Sequence, residues 1–250
     1  MLEMLVRNSD FAALSKLISP SFFKVVPVPQ LIGVGGRILA NTRTFSAEQP
    51  ELQKSRDLLS QAGWSISFER TATRPELTTP IASQVLELYF LQISLCDTWL
   101  LDFRSSSFHA ASGKPLIWSP GPYFLRLSSE FLASVRNLYA GFYLGDSAKF
   151  QKALEGLGVS AARSVLEEHF GLEGQSHVQF KLAEFEQTFA KVFQACAKGG
   201  ERIAPEFTAL GILLLTLYEN LESTGEAFDV RGAFLKAQEK ATHLQKAAIP

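Results

Sequence analysis

The sequence predicts an α+β fold that is mainly helical, a helical bundle carrying a few short strands. Apolar residues in the second half repeat at the three-and-four spacing of helices with one buried face. Capping residues and glycines bracket those repeats at helix length, as in Ser128, Asp146, Gly158 and Gly171. Alternating or β-branched runs are short and confined to the first half.

Taken in order, Ser9 caps a short helix bearing Phe11, Leu14, Leu17 and Ile18, which Pro20 stops. The run FFKVVPVPQLI, residues 22–32, is β-branched and broken by Pro27 and Pro29, which suits an edge strand or extended linker. Residues 37–41 form a candidate second strand, and Gly33-Val34-Gly35-Gly36 a flexible hairpin before it. Residues 49–62 read as a helix ending before Gly63, and residues 64–68 alternate like a strand. Thr79-Pro80 opens a core helix over 81–95, with Ile81, Val85, Leu88, Tyr89 and Gln92 on one face. A turn at Ser112-Gly113 leads to a short strand over 114–118.

From Ser128 onward the chain reads as one bundle. Ser128 caps a helix reaching about Leu144, Asp146 one ending at Gly158, and Ser160 starts another that stops near Gly171. Leu182, Phe185, Phe189, Val192, Phe193 and Cys196 form one buried stripe, closed by Gly199-Gly200. Phe207, Leu210, Leu214, Leu217 and Leu221 form the next, opened by Pro205 and closed by Gly225. Asp229 caps the last helix, whose polar end frays.

The composition narrows function by exclusion. With 250 residues, 46% hydrophobic and 20% charged, the chain buries a sizeable core and is not disordered. A net charge of −1 offers no basic face for nucleic acid, and neither an acidic tail nor a juxtamembrane basic cluster stands out. Cys96 and Cys196 lie far apart and read as free thiols of a reducing compartment, so a cytoplasmic location is expected. The most apolar run, 209–218, is about half the ~20 residues of a spanning helix. Membrane contact is therefore expected to be peripheral at most. The 20 phenylalanines fit either an aromatic core or an apolar cavity lined with Phe.

Most chemical signals are weak. His109, His169, His177 and His243 show no metal-ligand spacing with one another or with either cysteine. The glycine run at 33–36 lacks the lysine and Ser/Thr of a phosphate loop. One constellation stands out: Asp97 and Asp102, five apart in LCDTWLLDF, directly after a core helix. A carboxylate at a helix end, then a metal-binding side chain five residues on, is the arrangement of a kinase catalytic loop.

Five segments, in order, carry a resemblance. They are FKVVPVPQLIGVGGRILA, CDTWLLDF, GKPLIWSPGPYFLRLSSEFL, LYAGFYLGDSAKFQKALEGLGV and RIAPEFTALGILLLTLYENLESTGEAFDVRGAF. Together they resemble the UbiB/AarF (ADCK-like) family of atypical kinases, from about Phe22 to about Phe234. The first is similar to the family's valine-proline segment. The second falls at its catalytic loop, the third at its D-F-G motif and following helix start, and the last two at its closing helix pairs. The resemblance implies a protein-kinase-like large lobe over residues 25–246, with an N-terminal extension at 1–24 and a frayed tail at 247–250.

Residue by residue, that mapping shows an eroded site. Asp97 matches the catalytic-loop aspartate, and Leu95 stands where the loop has His or Gln. Asp102 replaces the magnesium-binding asparagine, so Asp97 and Asp102 are the vestigial metal ligands. Ser119-Pro120-Gly121 occupies the D-F-G position and removes its carboxylate. In a rival register LLDFR, 100–104, is itself the D-F-G strand with Arg104 in place of glycine. The distance to LSSEF, 127–131, favours the SPG register. Only 24 residues precede Val25, and they hold no Gly-rich loop and no V-A-x-K lysine.

Phosphoryl transfer is mostly positioning and charge neutralisation, so these losses predict a non-catalytic, pseudokinase-like scaffold or regulatory protein that takes no ATP or magnesium. The resemblance further implies a link to ubiquinone or isoprenoid-lipid metabolism and peripheral contact with the inner membrane face. Expected partners are a protein or an apolar lipid, with no nucleic acid. The alternatives are an isoprenoid carrier using a Phe-lined cavity among the C-terminal helices, and a weak Mg-nucleotide hydrolase using Asp97 and Asp102.

Overall fold

The computed structural model describes residues 20–69, 78–109, 116–171 and 177–247. The helix expected after Ser9, the turn at Ser112-Gly113 and the tail at 248–250 lie outside the described residues. Ten helices and seven short strands are seen among those described, and the fold is mainly helical as the apolar spacing requires.

The largest departure from the sequence reading is at the start. The proline-broken run is two helices, α1 (Pro20–Val25) and α2 (Val28–Arg43), rather than strands around a glycine hairpin. Pro27 is the N-cap of α2 and Pro29 lies in its first turn, where a missing N–H costs nothing, so both prolines start a helix instead of breaking a strand. The glycines at 33–36 then run inside α2, whose Leu31, Val34, Gly35 and Ile38 face the core. Burial of that face outweighs the low helix propensity of glycine.

Helix α3 (Pro50–Gln61) ends at Gly63, with φ 92°, and leads into β1 (Ser65–Ile66). Helix α4 (Thr79–Leu95) comes next and is buried almost all round, from Ala82 to Leu95, as the central post of the molecule. The strands cluster after it: β2 (Thr98–Leu100), β3 (Phe108–His109), β4 (Ile117–Trp118) and β5 (Phe124–Arg126). β2 pairs antiparallel with β5, Trp99 opposite Leu125, while β4 joins β1 in parallel and β3 antiparallel.

The bundle begins at α5 (Ser129–Tyr143), where the Ser128 hydroxyl accepts from the Phe131 N–H, and turns into α6 (Ser147–Leu157), where Asp146 accepts from Lys149. Gly141 lies where α5 touches the start of α6. A Cβ there meets the Phe150 backbone nitrogen at 2.5 Å, so only glycine lets the two helices approach this closely. A 3₁₀ turn at Ser160–Ala162 leads to α7 (Arg163–Phe170). Then come β6 (His177–Gln179), α8 (Leu182–Gly199), α9 (Phe207–Glu222), β7 (Ala227–Asp229) and α10 (Val230–Ala247). The antiparallel β6–β7 pair, Val178 opposite Phe228, joins segments about fifty residues apart and had no local sequence signal.

Both predicted stripes are in the core. Phe185 and Phe189 are 4.5 Å apart between ring centroids, Phe185 lies 4.6 Å from Tyr218 of α9, and Phe189 lies 5.8 Å from Phe207. Phe193 continues the stripe to Phe22 of α1, at 5.0 Å, so the N-terminal helix is fastened to the bundle by aromatic edges.

Candidate functional site

Asp97 stands where the sequence puts it, just past the end of α4, with Cys96 as the helix C-cap. Its carboxylate is nearly half exposed. Lys54 of α3 donates to it at 2.8 Å, and the guanidinium of Arg136 of α5 lies 3.9 Å away. The Lys54 hydrogen bond, aided by the charges of Lys54 and Arg136, holds its pKa below the usual carboxylate range despite some burial.

After Asp97 the chain enters a strand, not a catalytic loop. β2 begins at the next residue, and an extended chain rises ~3.3 Å per residue, so Asp102 is carried away from Asp97 instead of being turned back toward it. The expected shared metal position between Asp97 and Asp102 is therefore not formed. Their partners do not overlap, and one carboxylate faces solvent while the other is sealed. Among the described residues no group of three or more His, Cys, Asp or Glu side chains could hold a metal ion.

Asp102 instead joins the residues of both D-F-G registers in one place. Its side chain is 1% exposed. The Arg104 Nε donates to Oδ1 at 2.7 Å and Nη2 to Oδ2 at 3.0 Å, a two-point guanidinium contact. Ser107 Oγ donates to Oδ2 at 2.7 Å, and the Gly121 N–H donates to the same oxygen at 2.8 Å. Burial pushes the Asp102 pKa up, but the Arg104 hydrogen bond and charge, with Ser107 and Gly121, outweigh it and leave the group below its ordinary value. A magnesium ion would have to displace Arg104 from these oxygens, so the residues present do not fit that metal. Gly121 has its own constraint, because a Cβ there sits 2.9 Å from Asp102 Oδ2.

The backbone around Asp102 is fixed as firmly as its side chain. Trp118 Nε1 donates to the Asp102 carbonyl at 2.9 Å. From α9, Thr216 Oγ1 accepts from the Phe103 N–H at 3.1 Å and Asn220 Nδ2 donates to the Phe103 carbonyl at 2.7 Å. Gln92 of α4 satisfies both backbone groups of Leu100, accepting from its N–H at 2.9 Å and donating to its carbonyl at 3.3 Å. Ser119 is buried beside this knot; its N–H donates to the Ser107 carbonyl at 2.6 Å, and its hydroxyl has no protein partner. Gly121 thus contacts Asp102 directly, Ser119 is linked to it only through Ser107, and Asp97 stays outside.

Sequence reasoning meets Arg104 only as a stand-in for glycine, and it does not single out Ser107, Thr216 or Asn220. The role of Arg104 was legible: it lies two residues past Asp102 in extended chain, and an i, i+2 pair there shares a face. The α9 partners are more than a hundred residues away and carry no local signal.

Two cavities lined by described residues bear on the expected Phe-lined chamber. Among the aromatic side chains of α4, α5, α7 and α9 the open space is about 30 Å³, room for about one water rather than an isoprenoid. Tyr89 and Tyr139 line it, their hydroxyls 2.6 Å apart. A cavity of about 390 Å³ between α7, β6 and α8 is lined by Glu168, His169, Glu184, Lys191 and other polar groups. There the Tyr218 hydroxyl meets His169 Nε2 at 3.2 Å, and burial pulls the His169 pKa down to about 4. No helix among the described residues is long and apolar enough to cross a membrane. Comparison with protein-family models, curated proteins and solved structures finds no match to this chain.

Proposed function

We propose that this chain is a non-catalytic scaffold or regulatory binding protein, a kinase-like large lobe whose former catalytic segment has been absorbed into the core. The observation that carries the reading is the state of Asp102, whose two oxygens are committed to Arg104, Ser107 and Gly121 behind a sealed surface. A carboxylate that binds metal and phosphate in turnover needs open coordination positions and reach to the nucleotide. This one has neither. The order of elements supports the kinase-like lineage: a buried helix, a terminal aspartate, short antiparallel strands, then a helical bundle opening at a capped Ser128.

Calorimetric titration of the full chain with Mg-ATP tests the proposal. The expected result is no magnesium-dependent binding at millimolar nucleotide. Micromolar binding that Asp102→Asn abolishes overturns it, because Asp102 would then be serving a nucleotide after all.

A further inference from the structure

We infer that the polar cavity between α7, β6 and α8 is a binding site for a short zwitterionic peptide of the dipeptide class. The cavity holds about 390 Å³, room for roughly a dozen waters and within the ~300–1,000 Å³ of small-molecule sites. Two helices present continuous faces to it. Val165, Glu168 and His169 of α7 follow three-and-four spacing, and so do Glu184, Gln187, Thr188 and Lys191 of α8. On α8 the order along that face is acid, amide, hydroxyl, ammonium, and Glu184 to Lys191 spans two turns, about 10.5 Å. The back wall is neutral. There the Tyr218 hydroxyl meets His169 Nε2 at 3.2 Å, and the imidazole, with its pKa at about 4, carries no charge at neutral pH.

The uncommitted side chains of the cavity select the occupant. Lys181 holds Glu184 at 2.8 Å, but Glu168 and Lys191 form no ion pair among the described residues, with each other or with any neighbour. An anion alone would be set against Glu168, and a cation alone against Lys191. A ligand that carries both charges answers both. Gln187 and Thr188, between the charged positions of α8, make no side-chain hydrogen bond among the described residues. Their amide and hydroxyl offer donors and acceptors together, and a peptide group, with one N–H and one C=O, uses both kinds. A dipeptide therefore matches the cavity group by group: an ammonium for Glu168, a peptide group for Gln187 and Thr188, and a carboxylate for Lys191. Asp102 is not among the lining residues, so the inference goes beyond the scaffold reading and stands or falls apart from it.

Isothermal titration of the full chain with L-alanyl-L-alanine tests it. Saturable one-to-one binding is expected at or below about millimolar dipeptide. Removing either charge of the probe, as in N-acetyl-alanyl-alanine or alanyl-alanine amide, is expected to weaken binding about tenfold. Glu168→Gln is expected to weaken the dipeptide about tenfold and to leave the N-acetylated probe, which has no ammonium to hold, unchanged. Lys191→Gln is expected to weaken the dipeptide about as much and to leave the amide probe unchanged. Both side chains are exposed, so circular dichroism should show each variant folded. Absence of saturable dipeptide binding at millimolar concentration overturns the inference, as does binding that neither variant weakens. Free L-alanine binding as tightly as the dipeptide also overturns it, because the peptide group would then contribute nothing.

Discussion

Arg104 closes over Asp102 with two hydrogen bonds, Nε to Oδ1 at 2.7 Å and Nη2 to Oδ2 at 3.0 Å, both partners almost fully buried. The pair sits at the junction of the strands with α9, so its charge is tied to the packing of the whole middle of the chain. Taking two ions out of water is costly, and their attraction offsets that cost only while both are present.

Removing one partner is therefore expected to be more harmful than removing both. Arg104→Ala should cost about 3–5 kcal/mol in urea denaturation, because it leaves a carboxylate buried without its counter-ion. The double variant Asp102→Leu, Arg104→Met should be less destabilised than Arg104→Ala, and the shortfall measures their coupling. If the double variant loses as much as the sum of the single ones, the pair is not coupled as the geometry requires.

The same pair sets an acid limb. The Asp102 pKa is depressed in the fold, so its contribution is present above the unfolded value of about 3.9 and is lost as the pH falls below it. Stability of the wild type should decline from about pH 4 downward, and Asp102→Asn should flatten that decline. Thermal unfolding between about pH 5 and about pH 2.5 checks this. An unchanged slope in the variant would assign the acid limb to other groups.

Asp97 should behave as a surface residue. Its contact with Lys54 is exposed on both sides, and such pairs contribute under about 1 kcal/mol. Phe189, 4% exposed and packed between Phe185, Phe193 and Phe207, should by contrast cost about 3–5 kcal/mol on truncation to alanine. Comparing the urea midpoints of Asp97→Ala and Phe189→Ala separates the two. A larger loss for Asp97→Ala means that its position after α4 is engaged in something the fold alone does not explain.

The difference between these residues shows what the sequence could reveal. The stripes of α8 and α9, the caps at Ser128 and Asp146 and the stop at Gly158 are local patterns, and each appears where its chemistry puts it. The α1–α2 segment misled because β-branched residues and prolines carry two meanings, and only burial of Leu31, Val34 and Ile38 decides between strand and helix start. At the candidate site, Asp97 and Asp102 were both visible, but their separation depended on β2 pairing with β5 across a gap of more than twenty residues.

Tyr89 and Tyr139 give a test of the aromatic interior. Their hydroxyls are each other's partner at 2.6 Å and both are buried. Tyr89→Phe leaves the Tyr139 hydroxyl with a lost bond and should cost about 1–3 kcal/mol, while the double Phe variant should cost less than the two single changes added together. Burial, with a smaller contribution from the neighbouring Tyr139, raises the Tyr89 pKa above its ordinary value, and burial raises that of Tyr139. A raised acid pKa favours the fold below the unfolded value of about 10, and that contribution is lost as pH rises further. The wild type should thus lose stability above about pH 10 more steeply than the double Phe variant.

Gly158 and Gly145 separate backbone strain from steric seating. Both close helices of the α5–α6 pair in the left-handed region, with φ of 70° and 76°, where an L side chain costs about 1–2 kcal/mol. Around Gly145 a Cβ meets nothing within 4 Å, so Gly145→Ala should cost only that conformational amount. At Gly158 the same Cβ runs into the carbonyl of Arg202, a backbone atom that cannot rotate away. That segment is held on both sides, since Ile203 donates to the Val25 carbonyl and Ala204 to the Leu157 carbonyl, each at 3.0 Å. Gly158→Ala must therefore strain the residue and also push the 202–204 strap off α1 and α6, and it should cost at least about 3 kcal/mol in urea denaturation. Equal losses for the two variants would mean that the strap yields freely, and that α1 is tied to the bundle by Phe22 and Phe193 rather than by the strap's backbone hydrogen bonds.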